Sequence, residues 1–209
     1  ELRQCDVIVW APDDFGPPDD EVRQFLEQWF ASQQRKTFVY IGRDYNAAPQ
    51  YWEYVRSSAP AQEQIEVLRR RARAAAQHDA DRVYMPANET IEWFTMRRDH
   101  PRRKATQLHK PWSAGIDASQ TDIRTQGLLR IPTDQELLTF WRNAVPAEYR
   151  KPDYESLLDD GQTTLASRVT KPAWGDGQLI VVTNGSFLLN LPLVNHEHRK
   201  LAGRLIHQI

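Results

Sequence analysis

The segment CDVIVWAPDDFGPPDDEVRQFLEQWFASQQRKTFVYIG, residues 5–42, constrains the fold more than any other stretch of this chain. Residues 6–10 (DVIVW) and 36–42 (KTFVYIG) are short runs rich in β-branched and aromatic residues, without polar alternation. That pattern reads as strands buried on both faces, the kind found inside parallel sheets. Between them Val22, Phe25, Leu26, Trp29 and Phe30 recur at i, i+3, i+4, i+7 and i+8, one broad apolar helix face. Asp19 or Asp20 stands where a side-chain oxygen caps the first turn and a negative charge meets the positive end of the helix dipole. Two strands joined through a helix form a βαβ unit, right-handed by the general rule. The chain is therefore read as α/β.

The remaining pattern extends this frame. Residues 61–77 are expected to form a helix with Ile65, Leu68, Ala72 and Ala76 inward and Arg69, Arg70, Arg71 and Arg73 mostly outward. Residues 81–131 read as an insertion or irregular region, in which "TIEWFTMRR" can form a strand and other short strands are hidden. Within it, 97–120 is polar and without apolar period, and is expected to be the most exposed or mobile part. Thr133 and Glu136 form a capping box at the start of a helix, with Leu137, Leu138, Phe140, Trp141 and Val145 as its apolar positions. Two extended runs separated by Gly175-Asp-Gly177 predict a hairpin with 179–183 as its inner strand. A last helix over 196–208 would turn Leu201, Leu205 and Ile206 to one side. At 209 residues the chain suffices for a single α/β domain, 1–209.

Chemistry-bearing motifs are sparse. A formal net charge of −1 argues against a nucleic-acid partner held by a global positive field. His196 and His198 are two apart, pointing roughly 200° from each other on a helix, whereas ligands of one zinc need a spacing of three or four. The first turn of that helix is instead expected to be exposed, with Asn195 as N-cap. The one Cys5 precedes a strand rather than following one, and Ser186 lacks a Gly-x-Ser-x-Gly frame. The paired acids Asp13/Asp14, Asp19/Asp20 and Asp159/Asp160 sit in Pro- and Gly-containing loops, as turn formers do. No phosphate-cradling Gly-rich loop is present, and no cofactor is expected. The basic run over 97–110 carries Arg97, Arg98, Arg102, Arg103, Lys104 and Lys110 between Trp93 and Trp112. It reads as a solvated loop, with a grip on lipid headgroups or single-stranded nucleic acid as the other use of such residues.

The 5–42 segment, together with "LLDDGQTTLASRV" and "GDGQLIVVTNGSFLLNLPLVNHEHRKLAGRL", resembles a bacterial family of membrane-associated domains of unknown function. That family is related to gliding-motility and ABC-transporter auxiliary proteins. The resemblance covers about 40 residues at each end of the chain. It implies a three-layer, flavodoxin-like or class I glutamine amidotransferase-like sheet with helices on both faces and a C-terminal β-hairpin. It also implies a non-catalytic domain that binds a ligand or partner protein on the periplasmic side of a membrane-associated assembly. Any membrane contact would come through segments outside this sequence, which begins at Glu1 and reads as part of a longer chain. Where class I amidotransferases carry Cys on a Gly-x-Cys-x-Gly turn, this chain has Gly42-Arg-Asp-Tyr-Asn46, with Asp44 at the thiol position. Asn184 replaces the acid common after the last strand. Asn184, Phe187, Asn190 and Asn195 then read as a structured strand-to-helix connection plugged by Phe187. The alternative is a hydrolase or transferase for a small polar or sugar-like substrate. Its candidate ligand edge is Asp13, Asp14, Arg43, Asp44, Asn184 and Ser186, which all follow predicted strands.

Overall fold

The computed structural model describes residues 2–12, 16–32, 35–42, 48–83, 86–98, 103–125, 127–140, 152–188 and 194–209. The first half runs β1 (Val7–Trp10), α1 (Asp20–Phe30), β2 (Thr37–Ile41), α2 (Ala48–Ser58), α3 (Gln64–Val83), β3 (Asn88–Thr90) and β4 (Thr95–Arg97). Then come β5 (Arg103–Lys104), β6 (Arg124–Thr125), β7 (Leu128–Arg130), α4 (Asp134–Phe140), β8 (Asp153–Asp159), β9 (Thr164–Thr170), β10 (Gln178–Val182) and α5 (His196–Ile206).

A five-stranded mixed sheet of order β1-β2-β10-β9-β8 organises the α/β fold. β1, β2 and β10 run parallel, and the expected hairpin returns as β9 antiparallel to β10. The registers Phe38↔Leu179 and Tyr40↔Val181 put four side chains on one face, where α1 lays Leu26, Trp29 and Phe30. Val39, Ile180 and Val182 face the other way, against Leu201 and Leu205 of α5. Each fully buried side chain of this size contributes about 1.5–3 kcal/mol by leaving water. Phe30 is stacked on Trp174 with ring centroids 4.2 Å apart. Asp19 is the N-cap of α1, accepting from the Val22 amide at 2.9 Å.

β1 departs from the expectation of a strand buried on both faces. It is the edge of the sheet, paired on one side only, and Val9 is 55% exposed. An apolar run of four residues does not distinguish an edge strand from a central one, because neighbours rather than composition decide burial.

The stretch over 81–131 holds short strands, as expected. β3, β4 and β7 form a three-stranded antiparallel sheet that packs Ile91, Trp93, Phe94, Met96 and Leu129 against the α1 face. β5 and β6 form a two-stranded ribbon, and Ala105, Trp112 and Ile123 beside it enter the core on the α5 face. Most positions between 104 and 120 are exposed, as expected of this stretch, and the buried Ala105 and Trp112 anchor them.

The largest departure is α2 and α3. No helix is expected over 48–58 from the pattern of residues, and the apolar spacing of α3 points to the wrong face as the inner one. Among the described side chains of α3 Val67 is the buried one, whereas Ile65 is 66% and Leu68 43% exposed, and Ala72 and Ala76 are exposed as well. The two helices pack on each other as a hairpin: Arg71 and Arg56 both pair with Glu53 at 2.5 Å, and the Arg70 guanidinium lies over Trp52. The capping box formed as expected, with the Thr133 amide donating to Glu136 at 2.8 Å and the Glu136 amide to Thr133 Oγ1 at 3.3 Å. Leu137 is buried, but Leu138 is exposed; Trp141 and Val145 lie outside the described residues.

Candidate functional site

Because β1, β2 and β10 are parallel, the chain leaves all three at one edge of the sheet, the edge where α/β folds build their sites. Two of the exits are zipped together. The Gly42 amide donates to the Val182 carbonyl at 2.7 Å, and the Gly185 amide to the Gly42 carbonyl at 3.0 Å. A Cβ at Gly42 would stand 2.3 Å from the Thr183 oxygen, and one at Gly185 would stand 2.5 Å from Ile41 Cγ2. Only glycine permits so close an approach of the two strand ends. The third exit is tied down by Tyr40, whose hydroxyl donates to the Gly16 carbonyl at 3.2 Å.

Of the residues expected to form a ligand edge here, Asp13, Asp14, Arg43 and Asp44 lie outside the described residues. Asn184 is 2% exposed, so its amide is part of the packed connection and does not face a cleft. Ser186 lies in the 3-10 turn Gly185–Leu188. Phe187 in that turn is fully buried among Leu201, Ile180 and their neighbours, the plug that the connection reading assigns to it. Asn190 lies outside the described residues.

Beside this edge, on the α1 face, a cleft opens between the main sheet and the three-stranded sheet. Ser156, Thr164 and Ser167 line one wall, and Phe94, Leu129 and Arg130 line the other. Its volume of about 40 Å³ holds one or two waters and falls far short of the 300 Å³ or more that an organic ligand needs. The Arg130 guanidinium is held by Glu136 through two hydrogen bonds, 2.8 and 2.6 Å. A wider depression of about 310 Å³ lies along α1, lined by Arg3, Phe25, Gln28, Trp29 and Ser32.

The opposite, amino edge holds two buried lysines that the sequence reading did not single out. Lys36 donates to Asp6 and to the Cys5 carbonyl, both at 2.9 Å. Lys171 bridges Glu27 and Glu92, each at 2.7 Å, with its ammonium 5.1 Å from the Trp174 ring centre. Glu27 also accepts from Trp93 Nε1 at 2.7 Å and Trp174 Nε1 at 2.6 Å. Every strong donor of this group has a carboxylate, which makes the cluster a fastener between α1, β9 and the small sheet. A lysine between β-rich runs carries no periodic signal, so nothing in the sequence marked it.

The first turn of α5 is also not the exposed start expected of it. Glu197 and His198 are buried. Asn195 is the N-cap as predicted, accepting from the Glu197 amide at 2.8 Å, but its Nδ2 donates to the Gln120 carbonyl far along the chain. Glu197 accepts from the Asp117 amide at 2.8 Å, and His198 Nε2 from the Asp122 amide at 2.8 Å. Burial holds the His198 imidazole below the ordinary histidine range. Among the described residues no cluster of three or more His, Cys, Asp or Glu is arranged to hold a metal ion.

Among the described residues, three cations of the basic run meet carboxylates. Arg98 pairs with Glu89 at 2.6 Å, Arg103 with the buried Asp160 at 2.6 Å, and Lys104 with Asp122 at 3.8 Å. The Arg103 guanidinium and the Gln162 and Thr163 amides hold the Asp160 carboxyl below its usual range against the cost of burial. Cations spent on carboxylates of their own chain are poorly placed to grip phosphates.

Comparison with family models, with curated proteins and with solved structures finds no match for this chain.

Proposed function

We propose that this chain is a non-catalytic domain that binds a partner protein in a membrane-associated bacterial assembly, on its periplasmic side. A class I glutamine amidotransferase-like sheet serves as the scaffold. The observation that carries the reading is the outer face of α3. Ile65, Leu68, Ala72 and Ala76 follow one another at helical spacing and are exposed. An amphipathic stripe with no core beneath it is what a helix laid into a partner's groove presents. Arg69 and Arg73 border the stripe, which favours a partner whose apolar groove is rimmed by carboxylates. Membrane attachment in this reading rests with segments other than these, since no helix among the described residues is long and apolar enough to cross a membrane. Convergence of three strand exits at one edge is what favours the rival, a hydrolase or transferase for a small polar substrate.

The test is Ile65→Asp/Leu68→Asp in the full-length protein, followed by isolation of the assembly from solubilised membranes. Both side chains are exposed, so the melting temperature should move little. Loss of the co-purifying partner with an intact fold supports the proposal. An unchanged assembly, or turnover of a polar substrate by the purified domain, refutes it.

A further inference from the structure

We propose that His198 is a pH-sensitive latch that fastens the Asp122 end of the 114–122 segment to α5 when neutral and lets go of that end when protonated. The ring is 1% exposed and accepts the Asp122 N–H at Nε2, 2.8 Å away. That bond fixes the proton of the neutral ring on Nδ1, which is itself buried and has no hydrogen-bond partner among the described residues. A second proton can go only to Nε2. There it meets the Asp122 N–H head-on, so the bond is lost and a buried imidazolium is left without an acceptor at either nitrogen.

The charges around the ring do not rescue it. From the segment side, Asp122 is the favourable neighbour, but its carboxylate is shared between Arg124 at 2.9 Å and Lys104 at 3.8 Å. Lys104 itself opposes protonation. On α5, Glu197 is committed to Lys200 and to the Asp117 amide, each at 2.8 Å. The other attachments of the segment come from the same helix. Asn195 holds the Gln120 carbonyl, Lys200 that of Gly115 and Arg204 that of Ala114, at 2.6, 2.8 and 2.9 Å. The seam carboxylates Glu197 and Asp117 are both held below the ordinary carboxylate range, by the Lys200 ammonium and the Asp117 amide and by Ser119 respectively, so they stay charged where His198 takes up its proton.

The sign follows from linkage. The folded-state pKa lies below the ordinary value near 6.5, so closure is fully favoured above that pH and is lost as pH falls toward the folded pKa. Within that window the opening equilibrium should grow about tenfold per pH unit. Amide protection factors measured by NMR at pH 7.5 and 5.0, corrected for intrinsic exchange, give the test. In the wild-type protein Asp122 protection should be lower at pH 5.0 than at pH 7.5 while the Val39 and Ile180 amides of the core keep theirs. In His198→Gln the side chain still offers an acceptor but does not titrate, and Asp122 protection should stay constant. The wild-type titration provides a second readout: the Asp122 amide shift should follow the His198 ring with one midpoint. Loss of protection that is equal in the variant, shared with the core, or absent altogether overturns the proposal, as does an Asp122 shift independent of the ring.

Discussion

Removing either partner of the Glu27–Lys171 pair should have unequal consequences, and the structure sets their order. Glu27→Leu strips the acceptor from two indole N–H groups on Trp93 and Trp174, which are 0% and 1% exposed. A buried donor left unpaired costs about 1–3 kcal/mol. Lys171 keeps Glu92 at 2.7 Å, so it adds little to the loss. The two donors together should cost about 2–6 kcal/mol. Lys171→Met removes the more deeply buried ion of the pair, with a side chain 3% exposed, and with it the desolvation cost of that ion. Glu27 and Glu92 are 32% and 30% exposed and can recover hydration. The methionine stem can still pack on the Trp174 ring, so the loss should be about 1–2 kcal/mol. Urea unfolding followed by tryptophan fluorescence would separate the two by about 1 M in midpoint. The double variant should cost less than the sum of the singles, since the sites touch. If Lys171→Met proves as destabilising as Glu27→Leu, the cluster is held by its ion pairs rather than by the indole donors, and the reasoning fails.

Two further substitutions probe the carboxyl edge and its connection. Gly42→Ala should destabilise by about 3 kcal/mol, the upper end of overpacking, because its Cβ would stand 2.3 Å from backbone that has nowhere to move; a thermal melt within 2 °C or so of wild type would contradict that. Asn195→Ala should cost about 1–2 kcal/mol, since it loses the helix cap and the bond to the Gln120 carbonyl together. A loss confined to a few tenths would show that the seam between α5 and the 114–122 segment is held elsewhere.

The elements legible in the sequence are those whose pattern is set by one dominant partner. α1 shows its face because it has a sheet beneath it and water above. β2 and β10 show theirs because both faces are covered. The capping box and the Asn195 cap are local, and local signals survive any tertiary context. What failed was long-range. α3 carries an apolar stripe that reads as core-facing, because spacing alone does not tell a stripe covered by this chain from one left open. His-Glu-His was taken as an exposed turn because its partners, Asp117 and Asp122, are about 80 residues away. Of the candidate ligand edge, the topology was legible, and it brings the three strand exits together. The burial of Asn184 was not, because it depends on the close approach of Gly42 and Gly185.

When the assembly is complete, the proposed partner protein covers the exposed stripe of α3. Site-specific photo-crosslinking tests it most directly, with the reactive group at Leu68 and, as a control on another exposed apolar position, at Leu138. Both positions are exposed, 43% and 63%. The account predicts one discrete adduct from Leu68 in the membrane fraction, reproduced by crosslinking back from the partner, and none of that mass from Leu138. No adduct at Leu68, or the same adducts from both positions, would contradict it.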